Sequence, residues 1–439
     1  MDDEINRILD RTISESMMRR GRTTIDALLA PVRDTLSRRV FPEESLSDKQ
    51  IELLFDILSS MDTDKDPEAA RVGEREARVA SPLLTRLSAG FNHGIGRSGQ
   101  LSAPQPKAIG ASIMQQVADS VAHDAMRDLG LPNTKSSLVI PLSTGMTIGL
   151  VLGGMRRELG VRRVLYPRLD HRSPSRGISL AGLEEVTTKT VMEGDAVCSD
   201  LQDIEKGIRE DDDCAILATT TFFPPRASDS VKEIARLASD HDVPLIVNNA
   251  YGVQSEATMA SIRSAIDAGR VDAIIQSGDK NFLCPVGSSI LTTSAPEVAS
   301  WASQTYAGRA SAAPVAQTLA ALLSLGKERY TKLREAQRGN RTYLEKRLLE
   351  IAEDAGQRVL EVSNPVSVAF TLDGLDANDI GARLYNARVT GPRTIEKGHY
   401  GSCIDDYPHS YIVMNAAIGC SRKDVEKATT KFYKEVRGK

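Results

Sequence analysis

Residues 271–287 read Val271-Asp-Ala-Ile-Ile-Gln276, Ser277-Gly278-Asp279-Lys280-Asn281, Phe282-Leu-Cys-Pro285 and Val286-Gly287. A short apolar run with branched residues ends in a polar turn, and the turn presents a lysine. Ser288 to Thr292 then reads as another short strand. A lysine between two buried strands is costly to keep charged unless it is paired or its pKa falls. A lysine desolvated in this way becomes a nucleophile toward carbonyl carbon. An exposed lysine on a βα turn has the same local sequence, so the flanking chain must decide between the two.

Upstream, strands and helices alternate from residue 138. Leu138-Val-Ile140, Val164-Leu165-Tyr166, Thr187 to Met192, Ala215 to Ala218, Leu245-Ile246-Val247 and Ala273 to Gln276 are the strand candidates. Helical patterns such as Val231 to Ser239 lie between several of them. This alternation predicts a mostly parallel sheet covered by helices on both faces. Ligands of such sheets bind beyond the carboxyl ends of the strands. The polar residues that follow the strands are therefore expected to converge: Ser143 and Thr144, Asp170 and His171, Asn248 and Asn249, and Lys280.

Downstream, Lys327 to Glu353 reads as a long charged helix, Val366 to Leu372 and Tyr411 to Val413 as strands, and Lys423 to Val436 as a closing helix. At the other end, Ile5, Leu9 and Ile13, then Ile51, Leu54, Phe55 and Leu58, follow helical periods. Residues 62–69 are polar, contain Pro67 and read as a linker. Three units are expected: a helical extension over 1–65, a large domain over 66–312 and a small α+β domain over 313–439.

Composition narrows the function classes. The 439 residues are 41% hydrophobic and 26% charged, as in soluble globular proteins. A net charge of −4 gives no global nucleic-acid signature, so any RNA contact needs a local patch. The basic excess at Arg19, Arg20, Arg22, Arg33, Arg38 and Arg39 is one such patch, and a solvated helix face reads the same way. Cys198, Cys214, Cys284, Cys403 and Cys420 form no CxxC pair and no zinc-spaced cluster, so reduced thiols and no metal are expected. The acidic opening Asp2-Asp3-Glu4 is unlike a signal peptide, and no run approaches the ~18 apolar residues of a membrane span.

Three motifs carry chemistry. Phe91 to Lys107, FNHGIGRSGQLSAPQPK, contains Gly94-Ile-Gly96-Arg-Ser-Gly99, a literal GxGxxG. No strand precedes it, and Pro104 and Pro106 bar a helix from starting inside it, so a Rossmann fingerprint is rejected. Its glycines let the backbone approach an anion, with Arg97 and Ser98 beside it. Ser143-Thr144-Gly145-Met146, between a strand and a helix, is a second anion site or a plain N-cap. Asn248 follows its strand directly, where pyridoxal-phosphate enzymes usually carry an acid against the pyridine nitrogen. An amide cannot carry that charge, so if Asn248 occupies that place the ring would be less firmly protonated and a weaker electron sink, which suits a good leaving group better than transamination.

Together these stretches resemble the O-phosphoseryl-tRNA(Sec):selenocysteinyl-tRNA synthases of archaea and eukaryotes. The resemblance is carried by Val72-Gly73-Glu74-Arg75-Glu76, the loop at 91–107, STGM at 143–146, Tyr166-Pro-Arg168-Leu-Asp170, VNNAYGVQS at 247–255, QSGDKNF and PVG within 276–287, and Gly308-Arg309-Ala-Ser-Ala. It runs in order from about residue 15 to the C-terminus.

The resemblance implies an α/β fold of the pyridoxal-phosphate-dependent transferase type I, aspartate-aminotransferase-like. It has a mostly parallel central sheet, a smaller C-terminal α+β domain and a helical N-terminal extension. Lys280 would anchor pyridoxal 5′-phosphate covalently. Ser143, Thr144 and Gly145 would bind the cofactor phosphate, with Arg75 reaching it from a neighbouring chain of a homotetramer. Asn248 would face the ring and His171 lie against it. Arg97, Ser98, Gln105 and Arg309 would grip the phosphate of the substrate, while Glu74 repels the carboxylate of a free amino acid. Arg38, Arg39 and Arg270 are the expected tRNA contacts; the segment Thr394 to Tyr407 matches the family poorly and receives none.

The implied reaction is phosphate elimination from O-phosphoseryl-tRNA(Sec) and addition of selenium from selenophosphate, in the cytoplasm, with neither membrane nor DNA as partner. A cysteinyl-tRNA-forming or desulfurase-like enzyme of the same fold is the first alternative, and it needs a sulfur-carrying cysteine in a mobile loop. Cys284 is the only cysteine near the lysine. A non-catalytic tRNA-binding protein is the second, and it needs neither Lys280 nor paired anion sites.

Overall fold

A computed structural model describes residues 3–10, 12–210 and 213–437. Asp2, in the acidic opening of the chain, and the side chain of Ile5, in the first helical stripe, lie outside the description.

The central sheet has seven strands: β1 (Ser136–Ile140), β2 (Arg163–Pro167), β3 (Glu184–Thr188), β6 (Cys214–Thr219), β7 (Leu245–Asn248), β8 (Ala273–Ser277) and β9 (Ser289–Thr293). Between β3 and β6 lies a separate hairpin of β4 (Thr190–Glu193) and β5 (Ala196–Ser199). The sheet order is β1-β9-β8-β7-β6-β2-β3. Pairing is parallel from β8 through β3, and only β9 runs antiparallel to its neighbours β8 and β1. The expected strand over Thr187 to Met192 is thus two strands in two sheets, broken at Lys189. Period-2 patterning cannot see that break, because β4 is mostly exposed and carries no apolar face.

The inner strands are apolar up to their carboxyl-terminal residues Thr219, Asn248 and Gln276-Ser277, and every residue of β6, β7 and β8 is buried. A strand covered on both faces needs this composition. Each fully buried Ile or Leu there contributes roughly 1.5–3 kcal/mol. Helices Ile109–Asp128, Thr144–Leu159, Leu201–Glu210 and Val231–Asp240 pack against the strands.

A three-stranded sheet lies towards the C-terminus: β10 (Ser367–Thr371), β12 (Tyr411–Asn415) and β11 (Arg393–Ile395), in that order and antiparallel. Helix Ala313–Ala355 links the two bodies. Val315, Leu319 and Leu322 at its start join the large core, whereas Leu344 and Leu348 pack with Phe370, Ile412 and Phe432 in a smaller one. The helix breaks at Gly326 (φ 58°), where a Cβ would crowd the backbone of Glu44 and Ser45. The N-terminal helices Glu15–Arg38 and Asp48–Ser59 are seated in the same large core through Val32, Ile51, Leu54 and Leu58.

The first half of the 62–69 stretch does not behave as a linker, whereas Asp66, Pro67 and Glu68 are exposed and irregular. Asp62 is 1% exposed, and the Asp64 side chain 4%. Polar composition suggested solvent, but one oxygen of each carboxylate meets backbone or side-chain donors, Asp62 Oδ1 and Asp64 Oδ2.

Candidate active site

All the parallel strands point the same way, so the ends of β2, β6, β7 and β8 open on one edge of the sheet. Lys280 sits just past β8, on the short helix Gly278–Phe282 rather than in an open turn. That helix is fixed from several sides. Asn281 Nδ2 donates to Ala250 O (2.9 Å) and Ser277 O (2.8 Å). Gln254 Nε2 donates to Lys280 O (3.3 Å), and its Oε1 accepts from Ile418 N (2.8 Å). The Phe282 ring packs 5.3 Å from that of Tyr330.

The Lys280 ammonium is half-buried over the Tyr251 ring, 4.6 Å from its centroid. Burial pushes its pKa down, and the Asp279 carboxylate opposes this only in part. His171 is also pushed down, by burial first and then by the charges of Lys280 and Arg393. Its ring lies 5.7 Å from Phe222, edge-on. Arg393 reaches across from the small sheet to cover Phe222 (5.7 Å) and Phe223 (5.4 Å). A cavity of about 510 Å³ opens here between His171, Arg172, Arg176, Arg393 and Tyr400.

Among the buried oxygens without a partner at this edge of the sheet are Asn248 Oδ1 and Thr144 Oγ1. Thr144 opens helix Thr144–Leu159, whose first N–H groups form an anion site. A Cβ on Gly145 would collide with Ser173 Oγ, so only glycine allows the helix start to sit this close to the segment after His171. The set comprises a depressed lysine amine, a flat imidazole, an orphaned amide oxygen and a helix N-terminus with a free hydroxyl. Its donor chemistry fits pyridoxal 5′-phosphate: a carbonyl for the amine, a ring for the imidazole and a phosphate for the helix end.

Not every expected residue converges. Asp170 borders the cavity beside His171, but its carboxylate is engaged by the small-domain loop, accepting from Gly401 N (2.8 Å) and Cys403 N (2.9 Å). Asn249 is buried against Thr220, whose Oγ1 donates to Asn249 Oδ1 (2.7 Å).

The loop at 91–107 forms a second cluster. Ile95 pairs antiparallel with Ala310, Gly94 (φ 71°) leaves room for the Ala310 carbonyl, and Arg97 and Gln100 close a reverse turn that holds Ser98. Leu101 N and Ser102 N donate to Ser303 (3.0 and 2.9 Å), and Gln105 N donates to Ser112 Oγ (2.9 Å). Arg309 Nη2 donates to His93 O. Its pKa is lowered by burial and by the nearby charge of Arg75, and Glu76 offsets this in part. Arg75, Glu76, Arg97, Gln105 and Arg309 thus belong to one basic neighbourhood around this loop. Among the described residues, no hydrogen bond or ion pair joins it to Lys280.

A model of the family described as O-phosphoseryl-tRNA(Sec) selenium transferase, SepSecS, matches residues 61–437.

The chain belongs to the O-phosphoseryl-tRNA(Sec) selenium transferase family.

One such transferase, from Methanopyrus kandleri, is 43% identical over 97% of this chain and 99% of its own length. The crystal structure of an archaeal O-phosphoseryl-tRNA(Sec) selenium transferase superposes with a TM-score of 0.94 at 39% identity, covering 97% of this chain and 98% of that one. A cysteine desulfurase from Thermococcus onnurineus NA1 shares the fold alone, with a TM-score of 0.56 at 14% identity over 83% of this chain and 94% of its own. The fold is the type I fold of pyridoxal-phosphate enzymes, and the chain is a selenium transferase that uses this cofactor.

Within this selenium transferase fold, Glu74 is exposed beside Arg75. Arg38 pairs with Asp34 (3.4 Å) on an exposed face, and Arg39 caps its helix in the left-handed region (φ 54°). Arg270 is held by Asp242 (2.6 Å) and Asp272 (3.0 Å), so its guanidinium is already engaged. Cys284 is 6% exposed, buried under Ser288, unlike a sulfur carrier on a mobile loop. Among the described residues, no group of three His, Cys, Asp or Glu side chains is placed to hold a metal, and no helix is long and apolar enough to cross a membrane. Tyr251, Phe222, Phe223 and Arg393 escaped the sequence reading. The first lay in a quoted motif without a role. The others follow β6 or come from the small sheet, where only the fold brings them to the lysine.

Proposed function

We infer that the chain converts O-phosphoseryl-tRNA(Sec) to selenocysteinyl-tRNA(Sec), with pyridoxal 5′-phosphate as cofactor and selenophosphate as selenium donor. The Cα proton and the Cβ phosphate leave to give a dehydroalanyl group, the selenium of selenophosphate adds to Cβ while Cα takes up a proton, and water cleaves the Se–P bond to release a second phosphate. Membership of the selenium transferase family over residues 61–437 is the observation that carries this reading.

The cofactor, when bound, supplies the carbonyl that captures the substrate amine and the conjugated ring that takes up the electron pair left at Cα. In this reading Lys280 Nζ anchors it. Once released, the same amine, neutral more readily because it is buried, takes the Cα proton. His171 covers the ring. Asn248 is neutral and leaves the ring nitrogen less firmly protonated than a carboxylate would, which favours losing a good leaving group over amine exchange. Ser143, Thr144 and Gly145 hold the cofactor phosphate at the helix N-terminus.

Arg97, Ser98, Gln105 and Arg309 form the grip for the substrate phosphate, since guanidinium groups bind phosphate bidentately. In this reading the enzyme is a homotetramer in which a neighbouring copy brings Arg75 to the cofactor phosphate. Glu74 rejects a free amino acid by repelling its carboxylate, a charge that the ester of an aminoacyl-tRNA lacks. Arg38 and Arg39 remain candidate tRNA contacts, and Arg270 becomes one only by exchanging its ion pairs. The division at 1–65, 66–312 and 313–439 is kept as a working one, with helix Ala313–Ala355 as the shared strut. The cytoplasm is the assigned compartment.

The test is turnover of phosphoseryl-tRNA with selenophosphate against sulfide. Selenocysteinyl-tRNA is the expected product; a chain that ignores selenophosphate and makes only cysteinyl-tRNA from sulfide would overturn the reading.

A further inference from the structure

Both ends of the loop at 91–107 are fastened to one short segment, Asp62–Lys65. At the start of the loop, Asp64 Oδ2 accepts from Asn92 Nδ2 (2.9 Å) and from Lys65 Nζ (2.7 Å). Lys65 Nζ also donates to Gly90 O (2.8 Å). His93 Nε2 lies 3.2 Å from Thr63 Oγ1 and 3.9 Å from Asp64 Oδ1. At the end of the loop, Thr63 N and Thr63 Oγ1 both donate to Lys107 O (3.1 Å each). Asp62 Oδ1 accepts from Gly110 N (2.8 Å) and Ala111 N (3.2 Å), capping the helix that follows.

We propose that Asp64 is a positioning residue for the phosphate grip, acting through Asn92 and His93 on Arg309. The chain of contacts is continuous. Asp64 Oδ2 accepts from the Lys65 ammonium and the Asn92 amide, the His93 ring is hydrogen-bonded instead to Thr63 and stands 3.9 Å from Asp64 Oδ1, and the carbonyl of His93, next in the chain to Asn92, receives the Arg309 guanidinium. His93 is 2% exposed and the Asp64 side chain 4%, so water cannot substitute for either contact. Asp64 Oδ2 holds both the Lys65 ammonium and the Asn92 amide while Oδ1 has no hydrogen-bond partner, so the two bonds on Oδ2 are costly to lose and fix Asn92 in place. Rigidity is what a bidentate grip requires, because a displacement of about 1 Å in a positioning group can cost on the order of 100-fold in rate. The sequence gives Asp64 no such role, since it stands in a polar stretch that reads as a linker.

The proposal rests on the reading that Arg97, Gln105 and Arg309 grip the substrate phosphate, and the experiment separates the two. Full-length Asp64→Asn, Asp64→Ala and Arg309→Ala are compared with wild type, all loaded with cofactor. The readouts are inhibition by inorganic phosphate, KM and kcat for phosphoseryl-tRNA, cofactor absorbance per chain and melting temperature. Asp64→Ala is expected to raise the phosphate inhibition constant and KM by about tenfold or more, with cofactor absorbance unchanged. Asp64→Asn, which keeps an oxygen for Asn92, is expected to recover part of that loss. A general structural role would instead lower cofactor content and melting temperature while leaving phosphate inhibition of the folded fraction as in wild type, and that result overturns the proposal. If Asp64→Ala does not fold, Asp64→Asn decides: a phosphate constant within about twofold of wild type overturns it, and a several-fold rise supports it. If Arg309→Ala leaves phosphate inhibition unchanged, the grip itself is misassigned and the positioning proposal falls with it.

Discussion

The Lys280 ammonium lies 4.6 Å from the centroid of the Tyr251 ring. The ring face favours the cation by about 0.5–2 kcal/mol, depending on how dry the contact is. Burial acts in the opposite direction and lowers the pKa of Lys280. Tyr251 therefore limits a depression that would otherwise go further, and it holds the amine in one place. Tyr251→Phe should keep cofactor affinity within about twofold, because the ring face remains. Tyr251→Leu should move cofactor capture by the Lys280 amine to lower pH, in line with the loss of ~1 kcal/mol of cation stabilisation. Titration of the apo-protein with pyridoxal 5′-phosphate at several pH values, followed by absorbance, measures both.

Arg97→Ala and Arg309→Ala should each lower kcat/KM for phosphoseryl-tRNA by roughly 10- to 150-fold, the equivalent of one charge-assisted hydrogen bond of about 1.5–3 kcal/mol. Bound cofactor should be unaffected, because neither side chain touches the Lys280 cluster within the chain. Steady-state kinetics and the absorbance of the purified variants check the two halves of this expectation.

Free phosphoserine should be a poor substrate of the wild type. Glu74→Gln removes the repelling charge and should raise the rate with free phosphoserine while changing the rate with phosphoseryl-tRNA by no more than a few-fold. Phosphate release from each substrate by the two proteins gives the comparison.

Asp62 makes stability depend on pH. Burial raises its pKa from 3.8 to about 6, the largest effect, and the backbone donors Gly110 and Ala111 oppose it. The folded state therefore binds the proton more tightly than the unfolded chain. The stabilisation is complete below about 3.8 and is lost as pH rises through about 6. Asp62→Asn keeps an acceptor for the helix start and cannot ionise. Relative to wild type it should gain roughly 1–3 kcal/mol at pH 8, and little or nothing near pH 4. Denaturant unfolding at the two pH values reads the difference directly.

Much of the fold was legible because the inner strands are covered on both faces. Runs such as Leu245-Ile246-Val247 and Ala273-Ile274-Ile275 have to be apolar there, and the polar residues that follow each run mark the functional edge. Lys280, Asn248 and Thr144 were found in this way. The same rule over-collected, because Asp170 and Asn249 also follow strands but serve the loop at 401–403 and the buried Thr220. It also under-collected. Arg393 reaches Phe222 and Phe223 from a different sheet, a contact that no local spacing encodes. The Asp62–Lys65 segment was misread for a related reason. Polarity signals solvent only when the donors that satisfy it are absent, and here they come from residues 28 to 49 positions away. The break between β3 and β4 was invisible because mostly exposed strands carry no apolar alternation.

The most direct test of the account is release of labelled phosphate from O-phosphoseryl-tRNA(Sec), with selenophosphate present, by wild type and by Lys280→Ala at equal protein concentration. Wild type should release one labelled phosphate for each selenocysteinyl-tRNA formed, and Lys280→Ala should release none above background and lack the cofactor absorbance. Phosphate release by Lys280→Ala at the wild-type rate would contradict the account, because the elimination would then proceed without the lysine on which it is built.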